Sequence, residues 1–144
     1  MKVSEAMTRR VRVANPKETV QFAAQMMASL DVGALPVGEN DRLVGMITDR
    51  DIVIRGVARG KGPNARVQDV MTKDVKYCFD DQDVEEVTRN MADIQVRRLP
   101  VINHEKRLVG ILSLGDIATG PEAIEAAEAL SGISQPGGQH TQAG

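Results

Sequence analysis

The 144-residue chain states one pattern twice, and an internal repeat constrains a fold more tightly than composition does. Residues 3–37 align with 67–101 without a gap, and 11 of those 35 pairs are identical. One extra residue then enters the second copy, after which residues 42–53 align with 107–118 with 6 of 12 identical. The shared words are Met7-Thr8 with Met71-Thr72 and Leu35-Pro36-Val37 with Leu99-Pro100-Val101. Further on, Arg42-Leu43-Val44-Gly45 matches Arg107-Leu108-Val109-Gly110, and Thr48-x-x-Asp51 matches Ser113-x-x-Asp116. Each half holds roughly 60 residues, near the size at which a lone core is marginal, so the halves are expected to depend on each other. The sequence divides into a first repeat at 1–60, a linker and second repeat at 61–120, and a tail at 121–144.

Hydrophobic periodicity gives each repeat the same order of elements. Val3–Met7 and Val67–Met71 read as short helical lead-ins, and Val11–Val13 and Val75–Tyr77 as short strands. Val20, Ala23, Ala24, Met27 and Leu30 then recur with helical spacing, as do Val84, Val87, Met91 and Ile94. Ala34–Val37 with Leu43–Ile47, and Arg98–Ile102 with Leu108–Leu112, read as hairpins closed by polar turns. Each half is thus β-α-β-β-α with a helical lead-in. The glycine-rich stretch Gly56–Ala65 reads as the linker. After Pro121 comes a short acidic helix at 122–130, and from Ser131 a tail whose composition predicts disorder.

Composition mainly excludes. Eighteen basic and 20 acidic residues leave a net charge of −2, without the basic excess of a nucleic-acid binder. One cysteine, Cys78, rules out an intrachain disulfide and fits a reducing cytoplasm. Neither a signal-peptide pattern nor an apolar run long enough to span a membrane is visible. His104 and His140 stand without metal-ligand spacing, so no metal site is expected. No nucleophile with an adjacent base, and no paired acid and base, points to catalysis.

The duplicated word Gly-φ-φ-[Ser/Thr]-x-x-Asp, with φ apolar, carries the chemistry. It occurs as Gly45–Asp51 and Gly110–Asp116. It sets a hydroxyl at a strand-to-helix junction and a carboxylate in the first helical turn. Unpaired N–H groups there favour an anion, the hydroxyl can add a donor for phosphate, and a carboxylate can accept both hydroxyls of a ribose. The same residue types also form a capping box that serves only the helix start. Both readings stand at the level of sequence.

The ordered set of Met-Thr starts, Leu-Pro-Val before a hairpin and Gly-φ-φ-[Ser/Thr]-x-x-Asp, occurring twice over residues 3–119, resembles a tandem pair of CBS (cystathionine-β-synthase) domains, a Bateman module. The chain is similar to stand-alone CBS-pair proteins, including the group called hypoxic response proteins. The resemblance implies an α/β (α+β) fold of two pseudo-symmetric repeats packed sheet to sheet. It also implies a non-catalytic regulatory role, with AMP, ADP, ATP or NAD bound in clefts between the repeats to sense energy or redox state. The ligand is the only cofactor expected. A homodimer through the second helices and an unidentified regulated protein are the implied partners. A purely structural interaction module without a small-molecule ligand is the alternative.

Carried over residue by residue, the resemblance assigns ribose to Asp51 and Asp116, and ribose or phosphate to Thr48 and Ser113. It groups Thr48 and Asp51 with Lys76, Tyr77, Val96, Arg97, Arg98 and Pro100. It groups Ser113 and Asp116 with Arg12, Val13, Gly33, Ala34 and Pro36. Arg97-Arg98 and Arg50 are the phosphate candidates, since a guanidinium fork suits a phosphate. Gly33-Ala34 instead would let a flat base approach the backbone. The two sites are therefore expected to be unequal.

Overall fold

Two hydrophobic cores organise the chain, and each takes its lead-in helix from the other sequence repeat. The computed structural model describes residues 1–118 and 130–133. One unit comprises Arg12–Val75; the other joins Met1–Val11 to the residues from Lys76 onward. Packing therefore cuts the chain at other points than the repeat does. The reason lies in the lead-ins α1 (Val3–Ala6) and α4 (Val67–Val70). Val3 and Met7 sit in a core with Cys78, Val84, Val87, Met91, Leu99, Val101, Leu112 and Ile117. Their copies Val67 and Met71 sit in the other core, with Val20, Met27, Leu35, Val37 and Ile47.

In the Arg12–Val75 unit, α2 (Val20–Leu30) starts at Thr19, whose hydroxyl accepts the Phe22 N–H at 3.1 Å. It buries Val20, Ala23 and Met27 of the expected stripe. The helix packs over the antiparallel pair β1 (Ala34–Glu39) and β2 (Arg42–Thr48). Asn40 and Asp41, both at positive φ, form a two-residue turn of the kind that matches strand twist. After β2 comes α3 (Asp49–Asp51), continued by a π turn at Ile52–Gly56 and a 3-10 turn at Val57–Arg59. Helical structure thus runs past Gly56, where the sequence suggests a linker, because Arg55 ties the π turn to the Met71 carbonyl at 3.2 Å.

The other unit repeats this plan with β3 (Cys78–Phe79), α5 (Val84–Ile94), β4 (Arg98–Ile102), β5 (Leu108–Ser113) and α6 (Leu114–Ala118). β3 pairs in parallel with β4, which pairs antiparallel with β5. The inserted residue falls in the β4–β5 turn, where Lys106 takes the left-handed conformation, so the strands keep their register.

Two sequence expectations are corrected. The short first strands lie about three residues later than Val11–Val13 and Val75–Tyr77. In one unit the strand shrinks to a bridge between Ala14 and Val37; in the other it is Cys78–Phe79. The buried residues there are Ala14 and Cys78, and burial rather than the valine alternation decides the pairing. The second correction concerns the tail. Leu130–Ile133 is helical, and Gly132 lies so close to α5 that a Cβ would stand 2.9 Å from that of Ala92. Gln95 donates to the Gly132 carbonyl at 3.0 Å. Most of the expected acidic helix at 122–130 and the tail from 134 lie outside the described residues.

Candidate functional site

The strand-to-helix junctions are built alike in both units. Thr48 is extended and caps α3: its Oγ1 accepts the Asp51 N–H at 3.0 Å, and Asp51 Oδ2 accepts the Thr48 N–H at 3.0 Å. Ser113 and Asp116 exchange the same pair of bonds, each at 3.1 Å. The capping box is therefore real in both copies. It engages one carboxylate oxygen of each aspartate, Oδ2.

Each carboxylate also meets a residue that sequence reasoning did not select. Thr72 Oγ1 lies 3.5 Å from both carboxylate oxygens of Asp51, and Thr8 Oγ1 lies 3.5 Å from Asp116 Oδ1. These are the threonines of the duplicated Met-Thr words, which were the available signal. A backbone bridge delivers each one: Thr72 and Met46 exchange bonds of 2.8 and 2.9 Å, and Thr8 and Ile111 exchange bonds of 2.8 and 3.0 Å. The glycine before each bridge makes room. A Cβ on Gly45 would stand 2.8 Å from the Thr72 oxygen and from the Met71 sulfur. On Gly110 it would stand 2.8 Å from the Thr8 oxygen and 2.7 Å from the Met7 sulfur. Arg55 adds a cation beside the first junction, its Nε 4.0 Å from Asp51 Oδ1.

The hairpins then decide which pre-proline segment meets which junction. Ala34 lies opposite Thr48, and Arg98 opposite Ser113. Asp49 donates its N–H to the Gly33 carbonyl at 2.9 Å, and Leu114 donates to Arg97 at 3.0 Å. Within each unit, therefore, Gly33-Ala34 belongs with Thr48 and Asp51, and Arg97-Arg98 with Ser113 and Asp116. Strand register thus joins each segment to the junction of its own hairpin in the backbone. The Asp49 carboxylate covers Gly33, with Oδ2 3.0 Å from where a Cβ would be.

The remaining sequence candidates fall around these junctions. Arg12, Val13, Arg50, Lys76, Tyr77, Arg97 and Arg98 are exposed, and Val96 is half-buried. Val13 packs on the irregular step of β1, its Cγ1 2.7 Å from a Cβ built on Gly38. Tyr77 lies edge-on to Phe79, which stacks on His104, and Asp81 holds His104 at 2.7 Å. Pro36 and Pro100 are buried mid-strand, where they shape the hairpin rather than face solvent. Cys78 is buried, and burial, with Asp80 nearby, pushes its thiol up to about 12.

These paired devices can be set beside known proteins. The CBS domain family matches residues 3–56 and 67–121. The chain belongs to the CBS domain family. It is 48% identical over 103 residues to hypoxic response protein 1 of Mycobacterium tuberculosis, covering 70% of this chain and 71% of that one. It is 39% identical over 133 residues to the CBS domain-containing protein YhcV of Bacillus subtilis, covering 92% and 94%. Among solved structures, hypoxic response protein I with two coordinated zinc ions superposes with a TM-score of 0.74 at 42% identity, over 82% of this chain and 97% of that one. CBSX2 in complex with AMP gives 0.75 at 28% identity, over 86% and 98%. The CBS pair of MJ0100 with 5′-methylthioadenosine and S-adenosylmethionine gives 0.72 at 25%, over 82% and 93%. Among the described residues of this CBS pair, no three His, Cys, Asp or Glu side chains converge to hold a metal ion. No described helix is long and apolar enough to cross a membrane.

Proposed function

We propose that this CBS pair is a non-catalytic regulatory module that binds adenosine-containing ligands at the Thr48–Asp51 and Ser113–Asp116 junctions. The observation that carries this reading is the repeated pairing of each aspartate with a helix cap and a threonine. Oδ2 closes the cap in both copies, and the hydroxyl of the Met-Thr word stands 3.5 Å from the same carboxylate. A carboxylate so placed can accept ribose hydroxyls without opening the cap. Arg97 and Arg98, joined to the Ser113 junction through β4, add guanidinium groups suited to phosphate. Relatives crystallised with AMP, or with 5′-methylthioadenosine and S-adenosylmethionine, support an adenosine ligand. AMP, ADP, ATP and NAD are the candidates. Their level in the cytoplasm would report energy or redox state to a partner protein, through a state that the ligand binds preferentially.

Native mass spectrometry of the purified protein with each nucleotide tests this directly. Bound adduct with at least one of the four supports the reading, and no adduct at millimolar ligand overturns it. The module also pairs as a homodimer through its second helix. Val53, Ile54 and Val57 are exposed there at 54%, 43% and 69%. Light scattering that returns one protomer mass at micromolar concentration would contradict this part.

The reciprocal caps favour a second reading, an interaction module whose junctions serve only the fold. It predicts that no nucleotide raises the melting temperature. A ligand that binds only the native state must raise it.

A further inference from the structure

Helices α2 and α5 are copies, 11 residues each, matched residue for residue by the repeat. Their buried stripes agree and their outward faces do not. α5 exposes Glu85, Glu86, Arg89 and Asp93, the charged face usual for a helix in water. α2 has no charged residue along its length, and Asp31 follows it as the C-cap. It exposes Gln21, Phe22, Gln25, Ala28, Ser29 and Leu30. Phe22 stands where α5 has Glu86 and is 48% exposed; Leu30 is 38% exposed.

The last turns differ as well. On α5 the chain itself covers the turn: Gly132 lies against Ala92, and its carbonyl accepts the Gln95 side-chain N–H at 3.0 Å. The corresponding residues of α2 are Ala28 and Asp31, and both are exposed. The face of α2 that matches a covered face of α5 is thus open to solvent.

Charge decides what can cover it. An exposed helix face with an aromatic ring and without charge has the composition of an interface core. Set against α5 of another copy, it would strip water from Glu85, Glu86 and Asp93 and offer no cation in return. Set against α2 of another copy, it buries no charge from either helix. The Gln21 and Gln25 amides can each donate and accept, so two such faces can satisfy each other's polar groups. A patch complementary to itself pairs across a two-fold axis. Val53, Ile54 and Val57 are exposed in the same unit, and Ile52 beside them packs on the core that α2 covers.

We propose that a second copy of the chain seats on α2: two Arg12–Val75 units meet across a two-fold axis, α2 against α2, and α5 stays outside the contact. This rests on the homodimer reading and names its face and symmetry. Phe22 is the anchor. Gln25 lies midway along the exposed row and comes nearest the axis.

Light scattering and cysteine cross-linking on the full chain test the assignment. The wild type is a dimer at micromolar concentration. Phe22→Glu, which gives α2 the charge that α5 carries there, raises the dimer dissociation constant at least about thirtyfold while the far-ultraviolet spectrum is unchanged. Arg89→Glu, on α5, leaves the constant unchanged. Gln25→Cys joins two copies through a short bismaleimide, whereas Arg89→Cys, at the matching place on α5, does not; the native Cys78 is buried, and the wild type gives the background. A dimer that survives Phe22→Glu, or one in which Gln25→Cys links only to an Arg89→Cys chain, overturns the α2 contact while the homodimer reading survives. A wild type that scatters as one protomer overturns both.

Discussion

At the first junction a glycine lies under the Asp49 carboxylate; at the second, the same backbone bond joins Leu114 to Arg97. Around that difference the copies agree closely. Gly45 and Gly110 admit the bridging threonines, and Thr48 and Ser113 close matching caps. The comparison teaches where duplication is conservative. Positions whose side chain or missing Cβ sets backbone geometry stay the same, because any change moves two strands and a helix. Where no such geometry is at stake the copies differ, and charge diverges, Asp49 against Leu114 and Gly33 against Arg97.

The largest expected effect breaks the part that the junctions share. Gly45→Val and Gly110→Val each drive branched carbon into the threonine carbonyl and methionine sulfur of the bridge. Each should cost roughly 3 kcal/mol or prevent folding, judged by thermal or urea unfolding. Comparable losses are expected in the two units, and indifference at either glycine would show that the bridge does not matter there.

A smaller effect concerns the threonines. Thr8→Val and Thr72→Val should each cost about 1 kcal/mol of ligand affinity, the value of one hydrogen bond, with melting temperature nearly unchanged. Thr→Ser at either position should restore it. A loss of stability without loss of binding would make the threonines structural only.

The smallest effect is confined to one unit. Cys78 occupies the place that Ala14 holds in the other, and its folded thiol is raised from 9.0 to about 12. A raised folded value means that the folded chain keeps a proton which the unfolded chain gives up. Full stability therefore holds below pH 9 and declines between pH 9 and 12, by about 1 kcal/mol at pH 10. In Cys78→Ala this decline should vanish, and an unfolding curve equally steep in that variant would assign it to other groups.

Much of this was legible in the sequence. The repeat gave the element order, the stripes on α2 and α5, and the junction motif, because periodicity and duplication report burial directly. The hairpins emerged within a residue or two, Arg98–Ile102 among them. What stayed hidden was partnership across the chain. Nothing local in Met7-Thr8 tells that it packs with Leu112 and meets Asp116 rather than the junction of its own repeat. The pairing of Arg98 with Ser113 likewise follows from register in space rather than from any local word. The stack of Phe79 on His104 was equally invisible, because 25 residues separate them.

One measurement addresses the central claim most directly: calorimetric titration of AMP into the wild type, Asp51→Asn and Asp116→Asn. Asparagine retains an oxygen for each cap, so both variants should fold. The account predicts AMP binding by the wild type, weakened at least about tenfold by Asp51→Asn, by Asp116→Asn or by both. Asp51→Asn and Asp116→Asn proteins that both bind AMP as well as the wild type would contradict it.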